Sequence, residues 1–352
     1  MKLFGPNAEL TEIAQQIMAE DIAALERKAT GGWNINQKIQ ITKWVAETPL
    51  TLALSEKKKK VLDWLLLKKV ALNDKEHPAI VTACSGGDLK TVKRLIEDGA
   101  DVNARNKISK SAMGAALYGN HYNLIPVLIG AGYDLKHDGS SLRQAVSNRQ
   151  YKAIALLLDH RVDVNFCKPD MVYPYNSTPV HIAAKQNDME TVKLLVAHGA
   201  DVTVKDHYGE RPYNCAVANQ NEEMKAFLKA LEPERWHDEE QRLEELKSYK
   251  LPEALLKVLR SADRRWELPG NENVRFIEFN TLLEVKEVHW MKHKFLDLLS
   301  AVDNYSSDGF LVWYPKKKCF AFADYEHQEF KELCSVKEFF AGPSTQIDKI
   351  FE

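Results

Sequence analysis

His289 and His293, in the run His289-Trp290-Met291-Lys292-His293, stand four residues apart, a spacing that on a helix puts two imidazoles on one face as zinc hydrolases require. The next requirement fails, because Trp290 stands where such a site carries its glutamate base, and no third ligand is evident. Asp324-Tyr325-Glu326-His327-Gln328-Glu329 gathers acids and a histidine directly after an apolar run, a set suited to proton transfer. It lacks the nucleophile turn, phosphate loop or second carboxylate cluster that would build a pocket, so a structural turn or an acidic contact surface accounts for it better. Ser85-Gly86-Gly87-Asp88 has no Gly-Lys-Ser/Thr ending and reads as a turn rather than a phosphate cradle. Lys57 to Lys60 reads as a solvated turn, too short a basic run to imply nucleic acid. The five cysteines (Cys84, Cys167, Cys215, Cys319, Cys334) are odd in number and irregularly spaced, which fits reduced thiols. These residues point to no catalytic set, no cofactor and no metal.

The elements that would position such groups must be read from the whole chain of 352 residues, a length that favours several domains or an elongated array. With 45% hydrophobic residues, 28% charged residues and a formal net charge of -2, bulk electrostatics name no partner. Pro6, Asn7, Glu9 and Glu12 interrupt the stretch where a secretory signal would be apolar, and no window approaches the roughly 20 apolar residues of a membrane span. The expectation is a cytoplasmic protein without a membrane partner.

Aligning the chain on itself exposes a repeat. Helix-starting turns recur at Pro49, Pro78, Ala112, Ser141, Pro179 and Pro212, with a small residue four places on in all but the second. Thr48 and Thr178 can cap a helix, and proline directly after costs no hydrogen bond. A second anchor, Gly99-Ala100-Asp101-Val102-Asn103, returns in altered form at Gly132, Arg161 and Gly199. The glycines suit helix ends that need a left-handed residue, and Arg161 implies either local strain there of about 1 kcal/mol or a differently closed helix. The pattern resembles the ankyrin repeat family over residues 1 to 231, as a degenerate amino-terminal cap plus about six repeats.

Past Leu231 the acids Glu232, Glu234, Asp238, Glu239, Glu240, Glu244 and Glu245 predict an acidic linker helix over 232–250, its carboxylates facing water and Leu243 and Leu246 on a packing stripe. Within 251–352, Leu251-Pro252 opens a helix through Leu259, Val274 to Phe279 alternates as a strand, and Leu282 to Leu299 reads as charged helix. Gly309 to Tyr314 and Cys319 to Ala323, joined by Pro315 to Lys318, form a hairpin. Ser335 to Glu338 is a capping box that starts a closing helix with Phe339 and Phe340. The order of Leu251-Pro252, Gly309 to Pro315, Phe320 to Tyr325 and Ser335 to Phe340 looks like the SUKH superfamily, which includes bacterial immunity proteins against secreted toxins and a fungal regulator of cell-wall synthesis. The fold expected is multi-domain: an all-α solenoid, then a small α+β domain with an antiparallel sheet.

Together the resemblances imply a monomeric, non-catalytic protein-binding module. Its partner would be a bacterial toxin, often a nuclease in this class, or, in the alternative, cellular proteins docked by a regulatory scaffold. Ankyrin proteins bind with loop tips and inner helices. That directs attention to the long turn Phe166 to Asn176, where Asp170, Met171, Tyr173 and Tyr175 sit between prolines, and to the next tip, His207 and Tyr208. Asp324, Glu326 and His327 complete the expected contact residues.

Overall fold

A computed structural model describes residues 4–5, 9–170 and 172–352. They fall into two compact units, Met1–Val164 and Asn165–Glu352.

In the first unit, short helices come in antiparallel pairs: Glu12–Met18 with Ile22–Thr30, Pro49–Ser55 with Lys59–Leu67, Ala79–Gly86 with Leu89–Glu97, Ala112–Tyr118 with Ile125–Gly130, and Ser140–Ser147 with Tyr151–Asp159. Side chains begin several of them. Thr48 Oγ1 accepts the Thr51 amide at 3.1 Å, and Ser111 Oγ accepts that of Gly114 at 3.0 Å, each satisfying a helical N–H that has no backbone partner. The first helices of successive pairs pack directly on one another, close enough because buried Ala53, Ala83, Ala115, Ala116 and Ala145 carry little side chain. Gly99 and Gly132 end second helices at φ +97° and +90°, and Arg161 adopts φ +58° in the same role.

The asparagine that closes the glycine motif explains its recurrence. Asn73 Nδ2 donates to Gly99 O at 3.1 Å while its Oδ1 accepts the Asp101 amide at 2.8 Å, and Asn103 repeats the clamp on Gly132 O and the Asp134 amide. Asn165, in the second unit, does the same with Gly199 O and Asp201. One side chain thus satisfies two backbone groups of the next repeat, and a clamp needs both its Asn and the following Gly-x-Asp.

The second unit holds two further helix pairs, Pro179–Lys185 with Met189–Ala197 and Pro212–Ala218 with Glu222–Lys229. The acidic segment beyond them departs from the long, water-facing helix expected. It is a short helix, Glu239–Glu245, between two 3-10 turns, Glu234–Trp236 and Leu246–Tyr249. Its first acid does not face water: Glu232 is buried, accepting from Arg211 Nη1 at 2.9 Å and meeting His237 Nε2 at 2.8 Å. An acid with two buried basic partners is tolerated where a lone one is not.

Helix Glu253–Arg260 leads into antiparallel sheets. Counting the two-residue strands β1 (Ile39–Gln40) and β2 (Ala46–Glu47) of the first unit, the strands here are β3 (Arg265–Glu267), β4 (Phe276–Phe279), β5 (Lys286–Trp290), β6 (His293–Asp297), β7 (Leu299–Val302), β8 (Val312–Tyr314), β9 (Cys319–Asp324) and β10 (Glu329–Ser335). One sheet runs β3-β4-β7 and the other β10-β9-β8-β6-β5, every pairing antiparallel. Leu255, Leu259, Phe279, Leu296, Trp313, Phe320 and Phe339 form the main core, where Trp313 Nε1 donates to Tyr249 O at 2.8 Å. Val288, Trp290, Phe295, Val312, Tyr314 and Ala321 form a second cluster. The helix Val336–Ala341 starts at the capping box, Ser335 N donating to Glu338 Oε2 at 2.8 Å, but it does not close the chain, since the short helix Pro343–Asp348 follows it.

The stretch Leu282 to Leu299, for which charge predicts a helix, is instead β5, β6 and the start of β7. Burial in β5 alternates, with Lys286, Val288 and Trp290 inward, a period of two that the charged residues between them hide. The pairing sets Trp290 against His293 and His289 against Lys294. Directly paired residues share a face and successive ones alternate, so His289 and His293 lie on opposite faces, not side by side on a helix. His293 stacks on Phe330 at 3.9 Å between ring centroids.

Candidate functional site

The first unit presents apolar side chains on polar turns. Between β1 and β2, Thr42 Oγ1 accepts the amides of Trp44 and Val45, both at 3.2 Å, and the turn holds out Trp44, 85% exposed. In the turn closed by the Arg105–Ser111 bridge, Asn106 Oδ1 accepts from Ile108 at 3.2 Å and Lys110 at 2.9 Å, leaving Ile108 65% exposed. Tyr118, at the end of Ala112–Tyr118, is 75% exposed, with Lys110 Nζ 4.5 Å from its ring centroid. None of the three stood out in the sequence. The available signal was an apolar residue inside a turn whose other members are Thr, Asn, Lys and Ser.

In the second unit, Asp170 Oδ1 accepts the amides of Val172 and Tyr173 at 2.8 and 2.7 Å, and the Asp170 amide donates to Tyr173 O at 3.2 Å. Asp170 therefore shapes the turn. Met171 lies outside the described residues. Tyr173 and Tyr175 line a cleft of about 280 Å³ with His181, Lys185 and Asp206. Tyr175 O accepts the His207 amide at 2.9 Å, and its ring lies 4.7 Å from that of Tyr208. Tyr208 in turn lies 4.5 Å from Tyr325, which meets Trp290 edge-on at 5.1 Å. His207 is exposed.

This line of rings exists because one turn reaches the sheet. Asp206 Oδ1 accepts the amides of Tyr208 and Glu210, both at 2.9 Å, folding the turn, and burial pushes its carboxyl up to about 7. Gly209, at φ +72°, lies against β5 so closely that a Cβ there would collide with the Glu287 carbonyl oxygen. His181 is set in the same region. Its Nδ1 accepts from the Thr178 amide at 3.3 Å, its Nε2 meets Glu210 O at 3.0 Å, and burial pushes its pKa down to about 4.

Asp324 spends its carboxylate on its own turn, accepting the amides of Glu326 and His327 at 3.0 and 2.9 Å and His327 Nδ1 at 2.8 Å. Burial alone would raise its pKa, and the bonds from His327 outweigh that and hold it below the ordinary value. Of the nine expected residues, Tyr175, Tyr208, Asp324 and Glu326 come together along one open groove of about 620 Å³. Asp170, Tyr173, His207 and His327 do not line it.

Buried charge lies close by. Lys286 on β5 pairs with Asp297 on β6 at 3.5 Å and with Asp308, and Asp297 also accepts the Gly309 amide at 3.0 Å. Burial works against the Lys286 charge, yet the two carboxylates hold its pKa well above the ordinary value. Arg242 donates to Glu287 at 2.8 Å, Glu245 at 3.1 Å and Val285 O at 2.9 Å. Among the described residues, no group of three or more His, Cys, Asp or Glu is arranged to hold a metal, and no helix is long and apolar enough to cross a membrane.

Comparison with known proteins places ankyrin repeats, in three copies, at residues 80–168 and 142–234. The chain is 28% identical over 149 residues to the mitochondrial disaggregase of Bos taurus, covering 42% of this chain and 22% of that protein. It is 34% identical over 103 residues to ankyrin repeat and SOCS box protein 5 of Mus musculus, covering 28% of this chain and 30% of that one. An intracellular phospholipase A2 of Caenorhabditis elegans is 25% identical over 194 residues, 52% of this chain and 18% of the enzyme. The matches thus span less than a third of each of these relatives.

Proposed function

We propose that this chain, whose residues 80–168 and 142–234 carry ankyrin repeats, is a non-catalytic module that docks a protein partner through its helix pairs and the turns that join them. The observation that carries this reading is the set of exposed apolar side chains on hydrogen-bonded turns and a helix end, Trp44, Ile108 and Tyr118. Such residues lose little entropy on binding and bury large apolar area, as the energetic centres of interfaces do. The test is crosslinking in the native cell to identify the partner, then titration of the purified pair. Trp44→Ala with Ile108→Ser should weaken binding at least about tenfold. An unchanged affinity would reject the repeats of the first unit as the docking surface.

A finer reading makes the partner a bacterial toxin that a monomeric, cytoplasmic chain neutralises. It rests on the SUKH-like order of residues 250 to 352 and on acids such as Glu326 that could face the basic surface of a nuclease. The three relatives named above are animal proteins, which favours the cellular scaffold. Co-expression with the toxin-like product of an adjacent gene separates the two: rescue of growth supports immunity, and continued killing rejects it.

A further inference from the structure

We propose that the groove between the rings of Tyr175 and Tyr305 seats an arginine side chain of the docked protein. The inference rests on the docking reading and names the chemistry of one contact. The groove holds about 620 Å³, within the range of sites that enclose a ligand group. One wall is the series Tyr175, Tyr208 and Tyr325, with centroids 4.7 and 4.5 Å apart. The other is Tyr305 with Phe310 at 5.7 Å and Phe351 at 5.2 Å. Tyr175 and Tyr305 are each 45% exposed and Phe351 is 38% exposed, so three large rings converge on one opening instead of scattering over the surface.

Charge selects the occupant. Asp308, Asp324, Glu326 and Glu329 line the groove against the single cation Lys185. Lys286 compensates Asp308, and His327 engages Asp324, which leaves the exposed Glu326 and Glu329 to set the sign at the mouth. An anion would be repelled there, and a purely apolar group would desolvate the carboxylates without repaying them. A guanidinium answers both features, since its planar face stacks on rings and its N–H fork pairs with carboxylates.

The probe is a fluorescein-labelled peptide of alternating arginine and glycine, titrated with the full chain and followed by anisotropy, beside the same peptide with citrulline in place of arginine. Arginine should bind at least about tenfold more tightly than citrulline, which keeps the shape and loses the charge. Glu326→Gln with Glu329→Gln, and separately Tyr175→Ser with Tyr305→Ser, should each weaken the arginine peptide at least about fivefold. Glu240→Gln with Glu253→Gln makes the same charge change on exposed helix positions and should leave it unchanged. Equal loss in that control, no preference over citrulline, or indifference to the tyrosine pair would each overturn the proposal. If the tyrosine pair fails to fold by circular dichroism, the glutamate pair and its control decide alone. Failure of the peptide while a partner still binds through Trp44 and Ile108 rejects the groove and leaves docking standing; loss of both rejects docking as well.

Discussion

Residues 49–159 and residues 165–352 both contain helix pairs of one kind, yet they are held together differently. In the first unit the polar bonds are largely at the surface: Lys68 with Glu26, Arg94 with Asp63 and Lys38 with Glu76 are all partly exposed. Pairs of that kind contribute little, so cohesion there comes from repeated apolar contacts and asparagine clamps. Asp138 and Arg143 are exceptions: Asp138 is buried among Tyr133, Ser140 and Ser141 with Arg105 at 3.5 Å, and Arg143 is fully buried. In the second unit, by contrast, charge is built into the interior at Lys286, Asp297, Glu232 and Arg242. Buried pairs add little net stability when whole and cost several kcal/mol when one member is removed. The first unit should lose structure by degrees and the second all at once.

The sharpest way to break that contrast is a pair of core truncations. Trp313→Ala should cost about 3–5 kcal/mol and remove amide protection together from both sheets and from helices Pro179–Lys185 and Pro212–Ala218. In the first unit, Leu157→Ala should cost about 2–5 kcal/mol but release protection mainly in its own and the adjoining helix pair, because each repeat contacts only its neighbours. Hydrogen exchange read by mass spectrometry distinguishes the patterns. Persisting protection of 179–218 in the tryptophan variant would show that the last two repeats do not share the sheets' fate.

Charge removal comes next. Lys286→Met leaves Asp297 and Asp308 facing each other without their cation and should destabilise the second unit by about 3–5 kcal/mol in urea denaturation. Adding Asp297→Asn should return part of that loss. If Lys286→Met is neutral, the interior charge is not what makes this unit brittle.

The same contrast decided what could be read from the sequence. The repeats were legible because their determinants are local and recur: a cap at Thr48, small residues at Ala53 and Ala116, and a glycine before Asp101. The hairpin Val312–Tyr314 with Cys319–Asp324 and the capping box at Ser335 were legible for the same reason. Leu282 to Leu299 was not, since Lys286 and Asp297 look like solvent-facing charges until a partner across the sheet is known. Glu232 misleads in the same way, because Arg211 lies 21 residues before it. The groove was half visible. Tyr175, Asp324 and Glu326 could be chosen by type, whereas Tyr305 and Phe351 become its other wall only through tertiary packing.

A smaller effect tests the buried histidine. His181 stays neutral in the fold, with its pKa pushed down to about 4, whereas in the unfolded chain it titrates near its ordinary value of about 6.5. Between those values the unfolded chain binds a proton that the fold does not. The contribution is therefore complete above about pH 6.5 and is lost as pH falls toward 4. From pH 7 to pH 5 this amounts to about 2 kcal/mol. Asp206 and Glu232, whose carboxyls burial pushes up to about 7, act with the opposite sign, so wild-type slope alone is not diagnostic. Urea stabilities of wild type and His181→Gln at both pH values isolate the histidine. Parallel pH dependence in the two proteins would contradict a neutral His181.

The smallest expected effect bears most directly on repetition as a source of cohesion. Asn103 in the first unit and Asn165 in the second make the same two backbone bonds, to Gly132 O and the Asp134 amide and to Gly199 O and the Asp201 amide. Their geometry is nearly identical, with donor distances of 3.1 and 3.0 Å and acceptor distances of 2.8 and 2.7 Å. Replacement by alanine should cost about 1 kcal/mol at either site, since water can take over part of each exposed bond. The consequence should nevertheless differ. Asn103→Ala loosens one junction in a stack, so exchange should quicken locally near Gly132 to Leu135. Asn165→Ala acts on a cooperative body and should lower its whole denaturation midpoint while local exchange barely changes. Local quickening at both sites would mean that the repeats of the second unit still behave as a stack, whatever sheet they are packed beside.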